Sequence, residues 1–320
     1  MFRIFEKISK QIYMFEDFEK SYNLKQEPEN DNMNSHKYFE LQPYSEYMNM
    51  KEPEKKNKKK LDRPVEFKDK NNYLKIIPFK TNKNKIKKRK LMEKKIIPSH
   101  PFRLLLVGAS GSGKTQNLLN LMTRPQFYGK TDPKDKKSQY FDLVFLFSPT
   151  ADGGDDLSEY LLIPEERIIT DESLFQPTLN HIIKTQKDFI EKNTIVLSPK
   201  ICLIMDDCQS AEKFLKSSDF VKCFIAGRHY NISIICCGQS WTRFQRITRL
   251  NASNIMLYPS SGSEINLLCE EYCPANTSKK KFLELIQFAT KEPYNFLHIN
   301  NQTSHKDKYR KNLDLILNIN

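Results

Sequence analysis

The stretch LLLVGASGSGKTQNLLNLM, Leu104 to Met122, decides how this chain folds. Within it Gly108, Ala109, Ser110, Gly111, Ser112, Gly113, Lys114 and Thr115 satisfy the pattern GxxxxGK[ST]. Three of the chain's nine glycines fall within these six loop positions, Gly108 to Gly113. The spacing has a physical reason: glycines let the backbone close into a nest whose N–H groups converge on phosphate oxygens. The pattern assigns Lys114 a mobile positive charge for the outer phosphates and the Thr115 hydroxyl a place on Mg²⁺. An apolar run precedes the loop and an amphipathic helix pattern follows it, as the motif requires. A glycine-rich surface turn is the bland alternative, and it explains neither flank. The expected ligands are ATP and Mg²⁺.

Working outward, KICLIMDDCQS puts Asp206 and Asp207 at the end of an apolar run. A buried parallel strand delivers its C-terminal residues to the edge where open α/β sheets bind ligands. Asp206 is expected to hold the Mg²⁺ and Asp207 to orient and deprotonate a water. Capping aspartates after a strand are the alternative. Farther on, ISIICCG ends in Gln239, at a strand end expected beside the aspartate strand and within reach of the terminal phosphate. A polar strand terminus without function is the alternative here.

The remaining pattern predicts strands at 102–108, 141–149, 167–170, 201–207, 232–238, 254–258 and 294–300, and helices from Lys114, over 176–191, 263–272 and 279–289. Continuous apolar strands separated by helices predict an α/β fold with a mostly parallel sheet covered on both faces. The strand at 141–149 lies between the loop strand and the aspartate strand in the chain. That insertion assigns the additional-strand class of P-loop NTPases rather than the kinase and GTPase arrangement. The ATPase domain is expected over 98–320.

Charge is concentrated elsewhere. Residues 51–95 carry 19 Lys+Arg against 6 Asp+Glu, which equals the whole chain's net +13, because the other parts nearly cancel. Residues 24–97 therefore read as a basic, largely disordered linker or tail, too poor in apolar periodicity to offset chain entropy. KKNKKK and KNKIKKRK suit phosphate neutralisation without sequence readout; a solvated tail or import signal is the equal alternative. Residues 1–23 place Phe5, Ile8, Ile12 and Phe15 on one face of a short amphipathic helix. Seven cysteines without a CxxC pair fit a reducing compartment and argue against a zinc site, with Cys269-x3-Cys273 alone a weak alternative. No run is long enough to span a bilayer.

Taken in order, HPFRLLLVGASGSGKT, FDLVFLFSPT, LIMDD, GRHYNISIICCGQS and RLNASN resemble the genome-packaging ATPases of large DNA viruses, virophages and Polinton-type elements, within the FtsK–HerA branch of P-loop motors. The resemblance covers about 98–300. It implies a Walker A loop at Gly108–Thr115, a Walker B pair at Asp206–Asp207 and a polar sensor at Gln239. It also implies an arginine finger reaching a neighbouring subunit's phosphate, with Arg249 the best match and Arg246 or Arg243 as fallback. Many relatives carry Asp-Glu where this chain has Asp-Asp, which weakens the assignment of Asp207 as the base. The implied partners are double-stranded DNA bound without sequence preference, further copies in a homo-oligomeric ring, and a capsid protein. The basic stretch 124–139 is a candidate pore loop. The implied locations are the host nucleus or a cytoplasmic viral factory, with virion association. A HerA/FtsK-like helicase or segregation motor shares every motif, and a nucleotide-dependent DNA- or capsid-binding structural protein is the non-enzymatic alternative.

Overall fold

The computed structural model describes residues 89–132, 138–151 and 156–319. The expected helix of 1–23, and the basic segment up to residue 88, lie outside the described residues.

Strand β1 (Arg103–Val107) occupies the middle of the sheet. From Leu104 to Val107 it is apolar and fully buried, as a strand covered on both faces must be. Its side chains alternate between two cores. Leu105 and Val107 join one face, Leu104 and Leu106 the other. Burying each is worth about 1.5–3 kcal/mol.

The other strands are β2 (Leu143–Phe147), β3 (Ile168–Ile169), β4 (Ile201–Met205), β5 (Ile232–Gly238), β6 (Asn254–Leu257), β7 (Leu297–Asn300), β8 (Tyr309–Lys311) and β9 (Leu315–Ile316). They form one sheet in the order β3-β2-β4-β5-β1-β6-β7-β8-β9. Pairing is parallel from β3 through β6 and antiparallel from β6 through β9.

The additional strand is present, but it is β5. It pairs with β4 on one side (Ile201 opposite Ile232) and β1 on the other (Arg103 opposite Ile234). Strand β2, expected as the insertion, lies outside β4. The difference arises because a parallel crossover can return a strand to either side of its predecessor, and chain order does not state which.

The helices are α1 (Lys90–Glu93), α2 (Lys114–Thr123), α3 (Asp156–Leu161), α4 (Phe175–Lys192), α5 (Glu212–Leu215), α6 (Ser218–Ala226), α7 (Arg246–Asn251), α8 (Gly262–Tyr272) and α9 (Lys279–Ala289). Leu118 and Leu121 of α2 and Leu157 of α3 pack on one face of the sheet. Apolar residues of α4, α6, α8 and α9 pack on the other. On α4 the buried positions Phe175, Leu179, Ile182, Ile183 and Gln186 follow the helical period that makes one stripe.

The core begins before the expected Pro98. Met92 of α1 and Ile97 are buried in the α2 side, and Asn300 of β7 donates to Lys95 O at 2.9 Å. Lysines around these apolar residues hide them from a composition count. The pore-loop candidate 124–139 lies partly outside the described residues. Within it Tyr128 is buried, stacks on Phe102 at 5.0 Å and donates to Pro98 O at 2.8 Å. That part is anchored in the core. No described helix is long and apolar enough to cross a membrane.

Candidate nucleotide site

The loop between β1 and α2 is shaped by its glycines. Gly111 and Gly113 have φ of +72° and +94°, which side-chain-bearing residues rarely adopt. At Gly108 the constraint is space: a Cβ there would lie 2.4 Å from Tyr258 Cβ, because β6 is the next strand. Gly108 N donates to Gly238 O at 3.1 Å and so ties the loop to the end of β5. Ser112 Oγ is buried with no hydrogen-bond partner.

Lys114 opens α2 and is only 9% exposed. Its Nζ donates to Gly108 O at 2.7 Å and Ala109 O at 2.8 Å. Burial lowers its pKa, while Cys237, Asp206 and Asp207 nearby act in the opposite sense and favour the charged form. The ammonium is thus curled over the loop it serves.

Strand β4 brings Asp206, 7% exposed, to the same edge; its N–H donates to Phe147 O at 3.0 Å and extends the β2 ladder. Asp207 then turns sharply, with φ of +50°, in a region where aspartate and asparagine are enriched. That turn aims its carboxylate at the end of β5, where Asp207 Oδ1 accepts from Gln239 Nε2 at 2.9 Å. Gln209, with its amide oxygen toward β5, accepts from the N–H groups of Gln239 and Ser240. Beyond β5 the chain is fixed to α8: Ser240 Oγ donates to Glu264, and Trp241 N donates to Glu264 Oε1 at 2.9 Å.

These groups share one cavity of about 590 Å³, lined by Gly111, Lys114, Thr115, Asp206, Asp207 and Gln239 among others. Thr150, after β2, also lines it. Sequence reasoning missed Thr150, although the rule that singles out Asp206, a polar residue just past an apolar strand, applies to FLFSPT as well. Gln209 was missed too, because its role depends on a partner strand.

Arg249 requires a correction. The stretch carrying Arg246 and Arg249 is helix α7, and it turns Arg249 inward. Its side chain is 8% exposed and forks onto Glu271 of α8, Nε to Oε2 at 3.0 Å and Nη2 to Oε1 at 2.5 Å. Nη1 donates to Phe244 O at 2.5 Å, and the guanidinium lies 5.6 Å from the Trp241 ring. In this structure the guanidinium faces inward, onto Glu271 and Phe244 O, rather than outward to solvent. Arg246 is exposed, and Arg243 is half exposed beside Glu212 at 3.7 Å.

A phosphate nest, a carboxylate strand and an inserted polar-ended strand define the class: a P-loop NTPase fold with an additional strand. The chain belongs to the poxvirus A32 protein family, whose model matches residues 88–314. It is 27% identical over 191 residues to the DNA packaging protein OPG160 of vaccinia virus (strain Western Reserve) and of variola virus, covering 58% of this chain and 63% of each relative. The chain thus spans somewhat under two thirds of the length of these curated relatives. Among solved structures it is similar to B204, the DNA-packaging ATPase of Sulfolobus turreted icosahedral virus, at 13% identity and TM-score 0.44, over 63% of this chain and 94% of that one.

The residues present fit a Mg²⁺–nucleotide. Gly111 lines the cavity and leaves open the space that a Cβ would fill, the buried Lys114 ammonium stands over the same loop, and Thr115 and Asp206 supply two hard oxygen donors on one cavity. Mg²⁺ characteristically takes one or two protein oxygens and completes its shell with phosphate and water. No cluster of three or more His, Cys, Asp or Glu suited to a metal occurs among the described residues.

Proposed function

We propose that this domain binds ATP with Mg²⁺ and hydrolyses it to translocate double-stranded DNA during genome packaging. The observation that carries the reading is the convergence of Lys114, Thr115, Asp206, Asp207 and Gln239 on one cavity at the C-terminal edge of the sheet. The name of its relatives, DNA packaging protein, supports DNA as the load.

In this reading the loop N–H groups and Lys114 bind the triphosphate and stabilise charge on its outer oxygens. Thr115 and Asp206 hold Mg²⁺, which when bound neutralises phosphate charge. Asp207 and Gln239, already hydrogen-bonded to each other, position the attacking water, and Asp207 accepts its proton. Arg246, exposed on α7, takes over the finger role expected of Arg249. Ile225, Ile247 and Leu250 are exposed aliphatics on α6 and α7, and they support this face as the contact with the next copy in a ring. The basic segment 51–95 would neutralise DNA phosphates without reading sequence. Capsid protein is the partner the packaging role requires.

Steady-state ATP hydrolysis with and without long duplex DNA tests the proposal. DNA should stimulate turnover severalfold, and Lys114→Ala should abolish it. Turnover indifferent to DNA would count against the DNA-motor reading.

A further inference from the structure

We propose that Tyr294 is the platform on which the nucleobase of a bound triphosphate stacks. This inference rests on the nucleotide reading of the cavity above.

Sheet order fixes the direction of the ligand. In the sequence of neighbours β4-β5-β1-β6-β7, the groups suited to the terminal phosphate, Asp206, Asp207 and Gln239, all lie on the β4/β5 side of the loop. The ribose and base must then leave on the β6/β7 side. There the antiparallel register sets Leu257, at the end of β6, opposite Leu297, at the start of β7. The residues just before β7 therefore stand at the same sheet edge as the phosphate loop.

Tyr294 is one of them, and its ring packs on the loop. A Cβ on Gly113 would lie 3.1 Å from Tyr294 Cδ1. Yet the residue is 69% exposed, so core packing does not explain an aromatic ring here. Its backbone is also unusual, with φ of +66°, a conformation that is an outlier for a bulky side chain. Surrounding contacts impose it. Asn295 donates to Glu292 Oε2 at 2.6 Å and accepts from Asn312 Nδ2 at 3.0 Å. Asn312 Oδ1 accepts from Phe296 N at 3.1 Å, and Lys311 pairs with Glu292. Over-determined strain of this kind clusters at ligand clamps. An exposed ring carried on a fixed backbone beside the phosphate loop, on its base-ward side, is a stacking surface.

The test is equilibrium titration of the full chain, in Mg²⁺, with ATP and with inorganic tripolyphosphate, which carries the phosphates without a base. Tyr294→Ala should raise the ATP Kd by about tenfold, the scale of one base–aromatic stack, and leave tripolyphosphate affinity within about twofold. Tyr294→Phe, which keeps the ring, should bind ATP as the wild type does. ATP affinity unchanged in Tyr294→Ala, an equal loss for both ligands, or a Tyr294→Phe variant as weak as Tyr294→Ala overturns the inference. Lys114→Ala separates the two readings. If wild type binds neither ligand, or if Lys114→Ala leaves ATP binding intact, the nucleotide reading itself fails and the stacking role falls with it. If Lys114→Ala abolishes ATP binding while Tyr294→Ala does not alter it, only the stacking role fails.

Discussion

Gly108 and Gly111 sit three residues apart and are glycine for different reasons, which predicts different outcomes for the same substitution. Gly108→Ala drives a methyl into Tyr258 on a neighbouring strand, so it should cost about 1–3 kcal/mol of unfolding free energy. Gly111→Ala meets open space and pays only for its φ of +72°, about 1–2 kcal/mol. Denaturant midpoints for the two variants should show the greater loss in Gly108→Ala, whose methyl meets a side chain, than in Gly111→Ala, which meets none; a greater loss in Gly111→Ala would contradict the assignment. Asp207 gives a third contrast. Asn fits its left-handed backbone, so Asp207→Asn should stay within about 0.5 kcal/mol of wild-type stability, while turnover falls by about 10²–10⁴ if the carboxylate is the base. The loop residues were legible because each type is dictated within a few positions of itself. Arg249 was not, since its partner Glu271 arrives from another helix 22 residues on. Arg249→Ala should cost about 3–5 kcal/mol by leaving the buried Glu271 carboxylate without its guanidinium, only Trp241 Nε1 still donating to it at 3.1 Å, and loss of activity there should track loss of folded protein.

At the scale of elements, α7 decides which arginine faces out. Its helical turn buries Thr248 and Arg249 and leaves Arg246, Ile247 and Leu250 exposed. Arg246→Ala should therefore leave the denaturation midpoint unchanged. It should lower DNA-stimulated hydrolysis by about 10³-fold or more, as expected for loss of a finger contributed by a neighbour. Rescue by mixing Arg246→Ala with Asp206→Asn subunits would place the two residues in different chains. Full activity in Arg246→Ala would remove it from the mechanism. The long apolar strands and the amphipathic α4 were readable from periodicity, because each buries a continuous stripe or run. The β8–β9 ribbon, of three and two residues, is too short for any period to register. Expecting a strand from residue 294 was wrong at its start for a related reason: Tyr294 and Phe296 alternate like a strand, but the strained turn at Tyr294 keeps β7 from beginning before Leu297.

For the whole molecule, two histidines, His298 buried and His100 half-buried, set an acid limit. Burial holds His298 down to about 3, with Arg310 adding to the effect, and His100 down to about 4, where burial outweighs its hydrogen bond to Asn231. In the unfolded chain both titrate near 6.5. Below that pH the unfolded state takes up protons that the fold refuses. Stability is therefore full above about pH 6.5 and falls as pH drops toward 4, by on the order of 1 kcal/mol per pH unit for each histidine. Thermal unfolding across pH 4–7 checks this, and His298→Gln should flatten the slope. The sheet's C-terminal edge gathers residues separated by nearly 130 positions, from Ser110 to Gln239, into a single cavity, and in the proposed function that cavity drives movement along DNA. Displacement of a triplex-forming oligonucleotide from linear duplex DNA measures that movement directly. Wild-type protein with Mg²⁺ and ATP should strip the third strand, and Lys114→Ala should leave it bound. Brisk ATP hydrolysis on the same DNA with the third strand undisturbed would contradict the translocation claim.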